Sequence, residues 1–374
     1  MTVESENCKT MGEAEFGPVV VGATSPRELI LKWAIASVLS FLAVWAIASL
    51  LVDQPLVYVW DDEVERIVVE PGSYLSANEG YSVTKFGRFG LSGIADAEET
   101  ISQANGNWIA VWGDSYVEAK SVDDGEKMTN VAQRIWDSEE NESLAIIGIG
   151  MGGWTLADIY YHLPTYERLL GAPKLHVIVI SESAEFTPDR FEREAMFVSE
   201  PEFGFKPSTW KPKHTKIKRT LSSLRMGFAW EMMRESSDMK LRFQPGPTPK
   251  SPPRVRKPPE RDAVEFLVKS FQDRTEKPIS FLMLSRVPTL RKRELQITDP
   301  LGECTAVVKE VANEYGVPVE TMYDAFIEFA KEKKAFPRTF WSRYRGGHLN
   351  KDGHRLVAEN LVQMAREIPA SSNN

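Results

Sequence analysis

Residues 107–120 read NWIAVWGDSYVEAK. The run to Trp112 is short, mostly apolar and rich in β-branched and aromatic side chains, and Gly113 closes it, so it predicts a buried strand followed by a tight turn. Working outward, similar runs stand at 144–149 (LAIIGI), 175–180 (LHVIVI) and 279–284 (ISFLML), with a shorter one near 317–320. Helical patterns lie between them. The stretch 125–137 places Met128, Val131 and Ile135 on one face, 155–170 reads as a helix despite Pro164, and 303–315 ends at Gly316, a helix-stop residue. A last helix is predicted over 352–367. Strands that alternate with helices in this way build a parallel sheet covered on both faces.

The chain has 374 residues, enough for a large core and a prior of two to three domains. Its 42% apolar and 26% charged content is that of a globular protein and excludes a collagen-like, fully disordered or multi-span membrane chain. With 45 Lys and Arg against 53 Asp and Glu, the net charge is -8, so no basic excess recommends nucleic acid as a partner. Cys8 and Cys304 are the only cysteines. They exclude a disulfide framework and a cysteine-based zinc site of ordinary spacing.

Residues 33–52, WAIASVLSFLAVWAIASLLV, carry no charge and would span about 30 Å as a helix, the thickness of a hydrocarbon core. They predict a transmembrane helix. Ser25, Pro26 and Glu28 form a capping box with Pro at the first helical position, so the helix should begin before the apolar run. Lys9, Arg27 and Lys32 precede the span, whereas the next twenty residues hold Arg66 as their one basic side chain. The positive-inside rule then makes 1–32 a cytoplasmic tail and places 53–374 outside, on the periplasmic side of an inner membrane. Ala46-Ile47-Ala48 also fits a signal-peptidase site, which leaves a cleaved leader as the alternative.

Residues 53–106 read as a β-rich linker between the anchor and an α/β domain over 107–374. An insertion at 186–260 interrupts that domain. Between 201 and 260 there are 14 Lys and Arg against 5 acidic residues. The part 214–242 looks helical and amphipathic, and the Pro-rich 244–260 reads as an extended loop. This basic segment could grip an anionic glycan or lipid headgroups, or could simply be a solvated face.

In an open α/β sheet, ligands bind outside the carboxyl ends of the strands. Four loops of chemical interest fall there: Trp112-Gly113-Asp114-Ser115, Gly150-Met151-Gly152-Gly153, Ser181-Glu182-Ser183-Ala184-Glu185, and Gly346-Gly347-His348 before the last helix. A serine and a histidine far apart in sequence are thus expected at one edge, as a serine nucleophile and its base require. Bland readings exist for each. Ser115 could merely cap a helix, Asp114 could be a turn residue, and the glycines could form a tight turn. The five histidines lie scattered without a metal-binding spacing, so neither a metal nor another cofactor is expected.

These residues resemble the SGNH (GDSL) hydrolases. Gly113-Asp114-Ser115 is similar to the family's nucleophile block, Gly153 to its oxyanion-hole glycine, and His348 in GHLNKDGHRLVAENL to its catalytic histidine block. The likeness covers roughly 85–186 and 262–366, and is closest to single-pass exported members associated with surface polysaccharide. It implies a flavodoxin-like three-layer α/β/α fold with a five-stranded parallel sheet. It also implies a serine esterase or O-acyltransferase with Ser115 as nucleophile, His348 as base, and the N–H groups of Ser115 and Gly153 as the oxyanion hole. Acylated polysaccharide would be the substrate, with polysaccharide synthesis or export proteins as neighbours. Two positions depart from the family pattern. Ala184 stands where an Asn donor is usual, and no Asp precedes His348 by two or three residues. The expectation is therefore a Ser115–His348 dyad, with Asp114, Glu182 or Glu185 as candidate supports. The competing expectation is a catalytically impaired glycan-binding or assembly subunit that keeps the fold.

Overall fold

The computed structural model describes residues 25–77, 79–181, 197–199, 203–205, 214–233, 261–291, 294–298, 302–339 and 347–368. It divides into two units, Met1–Ile47 and Ala48–Asn374.

Helix α1 (Pro26–Leu51) is one continuous helix of 26 residues with no buried position. The Ser25 hydroxyl accepts the Glu28 N–H at 3.2 Å, so the helix begins at the capping box ahead of the apolar run. Among the described residues it is the one helix long and apolar enough to cross a membrane.

In the second unit, five strands form one parallel sheet: β1 (Trp108–Gly113), β2 (Ala145–Gly150), β3 (Leu175–Ile180), β4 (Ile279–Met283) and β5 (Val319–Thr321). Their order across the sheet is 5-4-3-1-2, which puts β1 between β3 and β2. Each strand lies within about two residues of its predicted position. All six residues of β1 are buried, as expected where both sheet faces are covered. The alternation of side chains then sorts them between two cores. Trp108, Ala110 and Trp112 join one core with Leu163 and Tyr166 of the helix Leu156–Leu170 and Leu267 and Phe271 of the helix Arg261–Arg274. Ile109 and Val111 join the other with Met128 and Trp136 of the helix Met128–Glu139 and Val357 and Leu361 of the helix Lys351–Arg366.

The helices that follow the strands of this sheet or lead into them are, in chain order, the single turn α2 (Ser115–Glu118), then α3 (Met128–Glu139), α4 (Leu156–Leu170) and α5 (Arg261–Arg274), followed by α6 (Gly302–Glu314), α7 (Tyr323–Lys333) and α8 (Lys351–Arg366). Pro164 sits inside α4 without ending it.

Residues 53–106 hold two antiparallel hairpins, Tyr58–Asp61 with Arg66–Val69 and Gly72–Ser76 with Ser82–Phe86. They are packed into the molecule. Val64, Val68, Phe89 and Leu91 belong to the same core as Trp112. Of the basic insertion, the described part includes a short strand pair, Phe197–Ser199 with Phe203–Phe205, and a helix, Thr215–Ser223. That helix contacts the first hairpin region through Arg219, whose guanidinium pairs with Glu70 at 2.7 Å. The predicted helical stretch beyond 233 and the Pro-rich loop lie outside the described residues.

Candidate active site

The turn after β1 positions Ser115. A side chain on Gly113 would place its Cβ 2.4 Å from Val117, so only glycine lets the chain pass directly from strand into α2. Asp114 is the N-cap of that helix, and its Oδ1 accepts the Tyr116 N–H at 2.9 Å. Its Oδ2 accepts the Ser181 hydroxyl at 3.0 Å, tying the end of β1 to the end of β3. Capping is thus done by Asp114, which leaves the Ser115 hydroxyl for another partner. Asp114 supports the turn that carries Ser115, not the histidine.

The histidine is placed by the entrance to α8. The Asn350 side chain caps this helix by accepting the Gly353 N–H at 3.0 Å and donates to the Phe336 carbonyl at 2.6 Å. The Thr339 N–H donates to the His348 carbonyl at 2.9 Å, and the Gly347 N–H to the Thr339 carbonyl at 3.1 Å. His348 is therefore held on both sides by the segment after α7. Its ring packs on Tyr116 with centroids 5.0 Å apart. The Tyr116 hydroxyl in turn accepts from buried Arg338 at 2.6 Å.

Ser115 Oγ lies 2.7 Å from His348 Nε2 across 233 residues of sequence. The other ring nitrogen, Nδ1, lies 2.6 Å from Glu79 Oε2. That oxygen also accepts the His348 backbone N–H at 2.8 Å and the Thr339 hydroxyl at 3.3 Å. A carboxylate thus stands behind the histidine, and it comes from the hairpin region before the sheet, a position not among the expected supports Asp114, Glu182 and Glu185. Glu182, Glu185 and Ala184 lie outside the described residues.

Glu79 occupies the tip between the strands of the second hairpin. Several bonds press that tip against the chain after α2. Ser82 donates its hydroxyl to the Lys120 carbonyl at 2.6 Å, and the Val83 N–H donates to Asp123 at 2.9 Å. A Cβ on Gly80 would meet the Ser121 carbonyl at 2.6 Å, so the approach needs glycine. Nothing local in ANEGYS marks Glu79 as a partner for a residue 269 positions away. The usable signal was a glutamate beside a glycine at a hairpin tip, which also describes an ordinary solvated turn.

Half-burial pushes the Glu79 carboxyl up. The bonds from the His348 ring, backbone N–H and Thr339 hydroxyl, with the charge of His348, outweigh it and hold the group below the usual carboxylate range. An ionised Glu79 can only accept, so His348 carries its proton on Nδ1 and presents the Nε2 lone pair to the Ser115 hydroxyl.

Beside Ser115 lies the loop after β2. Gly153 adopts φ +90°, which favours glycine although there is open space for a side chain. Among the described residues, no bond from the Ser115 or Gly153 N–H to a protein acceptor is formed. Trp154 anchors the loop, buried under the Arg66 guanidinium 4.3 Å from its ring. No group of three His, Cys, Asp or Glu side chains among the described residues could hold a metal ion.

The sheet order, the serine at the β1 turn and the histidine before the last helix coincide with what the two terminal sequence blocks imply. The fold is a three-layer α/β/α one built on a five-stranded parallel sheet. No family model and no curated protein matches the sequence. Among solved structures, the chain is similar to an acetyl xylan esterase at 11% identity and TM-score 0.39, covering 69% of this chain and 98% of that one. It is similar to an acetylxylan esterase from Geobacillus stearothermophilus, solved as a catalytic mutant, at 14% identity and TM-score 0.38 over 71% and 94% of the two chains. It is also similar to a lipase/acylhydrolase from Enterococcus faecalis at 13% identity and TM-score 0.37, covering 70% and 95%.

Proposed function

We propose that this chain is an SGNH-type serine esterase or O-acyltransferase that uses Ser115, His348 and Glu79 as a triad. The observation that carries the reading is one imidazole bonded through Nε2 to a serine hydroxyl and through Nδ1 to a carboxylate. A serine hydroxyl becomes a competent nucleophile when a base takes its proton as the new C–O bond forms. His348 Nε2 is that base, and Glu79 stabilises the imidazolium that results. The tetrahedral oxyanion is received by the Ser115 and Gly153 N–H groups. Its collapse expels the alkoxide of the acylated sugar, which takes the proton back from His348. Water or a second hydroxyl then attacks the acyl-serine by the same route, giving hydrolysis or transfer.

The acylated-glycan part of the reading rests on the resemblance of the 113–115, 153 and 348 blocks to exported, polysaccharide-associated members of the family. The test is release of acetate from an acetylated polysaccharide by the purified chain and its loss in Ser115→Ala. A wild-type chain that binds the glycan but releases no acetate would favour the non-catalytic subunit.

The remainder of the reading concerns placement. With α1 as an anchor, 1–32 lies in the cytoplasm and the sheet domain outside, beside polysaccharide synthesis or export proteins. Protease added to intact spheroplasts should remove the sheet domain. Digestion seen only after lysis would reverse the orientation.

A further inference from the structure

Helix α2 is a single turn, so its last residue, Glu118, falls back beside its first, Ser115. Glu118 is 2% exposed. Its Oε2 accepts the Gly152 N–H at 3.1 Å, while its Oε1 is buried without a bonding partner among the described residues. A Cβ on Gly152 would lie 2.9 Å from that Oε2 and 3.7 Å from the Ser115 Cβ, so carboxyl, loop and nucleophile are in contact. Gly150, two residues earlier, is pressed equally hard, with the Gly113 carbonyl 2.8 Å from where its Cβ would be.

The glycine loop carries two consecutive N–H groups, at 152 and 153, and the one at 152 is bonded to Glu118. An acceptor buried in the wall decides which of them remains free, because a buried N–H left without a partner is costly. We propose that Glu118 is a positioning residue for acyl transfer at Ser115: by binding the Gly152 N–H it fixes the loop so that Gly153 supplies the free N–H of the oxyanion hole. This rests on the esterase reading. A solvated loop would need no such acceptor, and an apolar residue would fill the wall as well. Burial drives the Glu118 carboxyl above its ordinary range, against the opposing pull of Lys120, Lys127, the Gly152 N–H and His348. A neutral acid still accepts the Gly152 bond, which is why an acceptor is the feature the position requires.

The test compares Glu118→Leu, which fills the space without an acceptor, with Glu118→Gln, which keeps a carbonyl oxygen. Both are made in the full detergent-solubilised chain and assayed on p-nitrophenyl acetate. Loss of one oxyanion donor costs about 10² to 10³ in kcat, so Glu118→Leu should fall by that factor at little-changed KM, and Glu118→Gln should stay within a few-fold of wild type. Hydrogen exchange of the peptide covering 145–156, read by mass spectrometry, should quicken in Glu118→Leu and not in Glu118→Gln. Equal damage from both variants, or a Leu variant with wild-type kcat, would overturn the proposal. Unchanged exchange in Glu118→Leu would overturn it without any reference to turnover. A wild-type chain that cleaves no ester would count against the esterase reading, and the exchange comparison would then decide whether Glu118 holds the loop.

Discussion

Glu79 holds His348 twice, since one carboxylate oxygen accepts both the ring Nδ1–H at 2.6 Å and the backbone N–H at 2.8 Å. The first bond selects the tautomer and the second fixes the rotation of the residue that bears the ring. A single oxygen therefore sets both the protonation pattern and the aim of Nε2 at Ser115.

Replacing that oxygen should damage turnover more than binding. Glu79→Gln should lower kcat by about 10² to 10⁴ with KM little changed, the upper end being the loss seen when the acid of a serine triad becomes an amide. The same variant tests the stability role of the group. Because the folded-state pKa of Glu79 lies below its unfolded value, its contribution is present above the unfolded carboxylate value of about 4.3 and is lost as pH falls through the folded value. The gap in melting temperature between wild type and Glu79→Gln should be full near pH 7 and close in acid. A gap that widens in acid would contradict this.

Gly153→Ala separates backbone geometry from space. Nothing stands within 4 Å of a Cβ there, but φ +90° is costly for any side-chain-bearing residue, on the order of 1–2 kcal/mol. The loop can relieve that strain by turning its N–H away from Ser115. The expected result is a small drop in melting temperature with a fall in kcat of about 10² or more. Unaltered kcat would remove Gly153 from the oxyanion hole.

His354 should set the acid limit of the fold. It is fully buried in α8, accepts the Met128 N–H at the start of α3 at 3.3 Å, and is pushed down to about 3 by burial and by the nearby Lys127 and His348 charges. Its folded pKa is below the unfolded value of about 6.5, so the stability linked to it is present above pH 6.5 and drains away as pH falls toward 3. Melting temperature should decline over that window in wild type and decline less in His354→Gln. Parallel declines would assign the acid limit to other groups.

The sheet was legible because its strands are continuous apolar runs. Ser115 and His348 were legible because each lies in a short block with its own local character. Glu79 was not. Its partner is distant in sequence, and what brings them together is the close packing of Gly80 against Ser121 and of Phe89 and Leu91 into the sheet core, contacts that leave no periodic trace. Glu118 was missed for the opposite reason: it stands three residues from the serine, where its identity reads as one more charged residue of a helical turn.

The most direct test of the account is covalent labelling of the detergent-solubilised chain with a fluorophosphonate, with the modified peptide identified by mass spectrometry. The account predicts one adduct, on Ser115 in the peptide containing GDSY, formed much more slowly in His348→Ala and in Glu79→Ala. An unlabelled wild-type Ser115, or labelling at an unchanged rate in both variants, would contradict it.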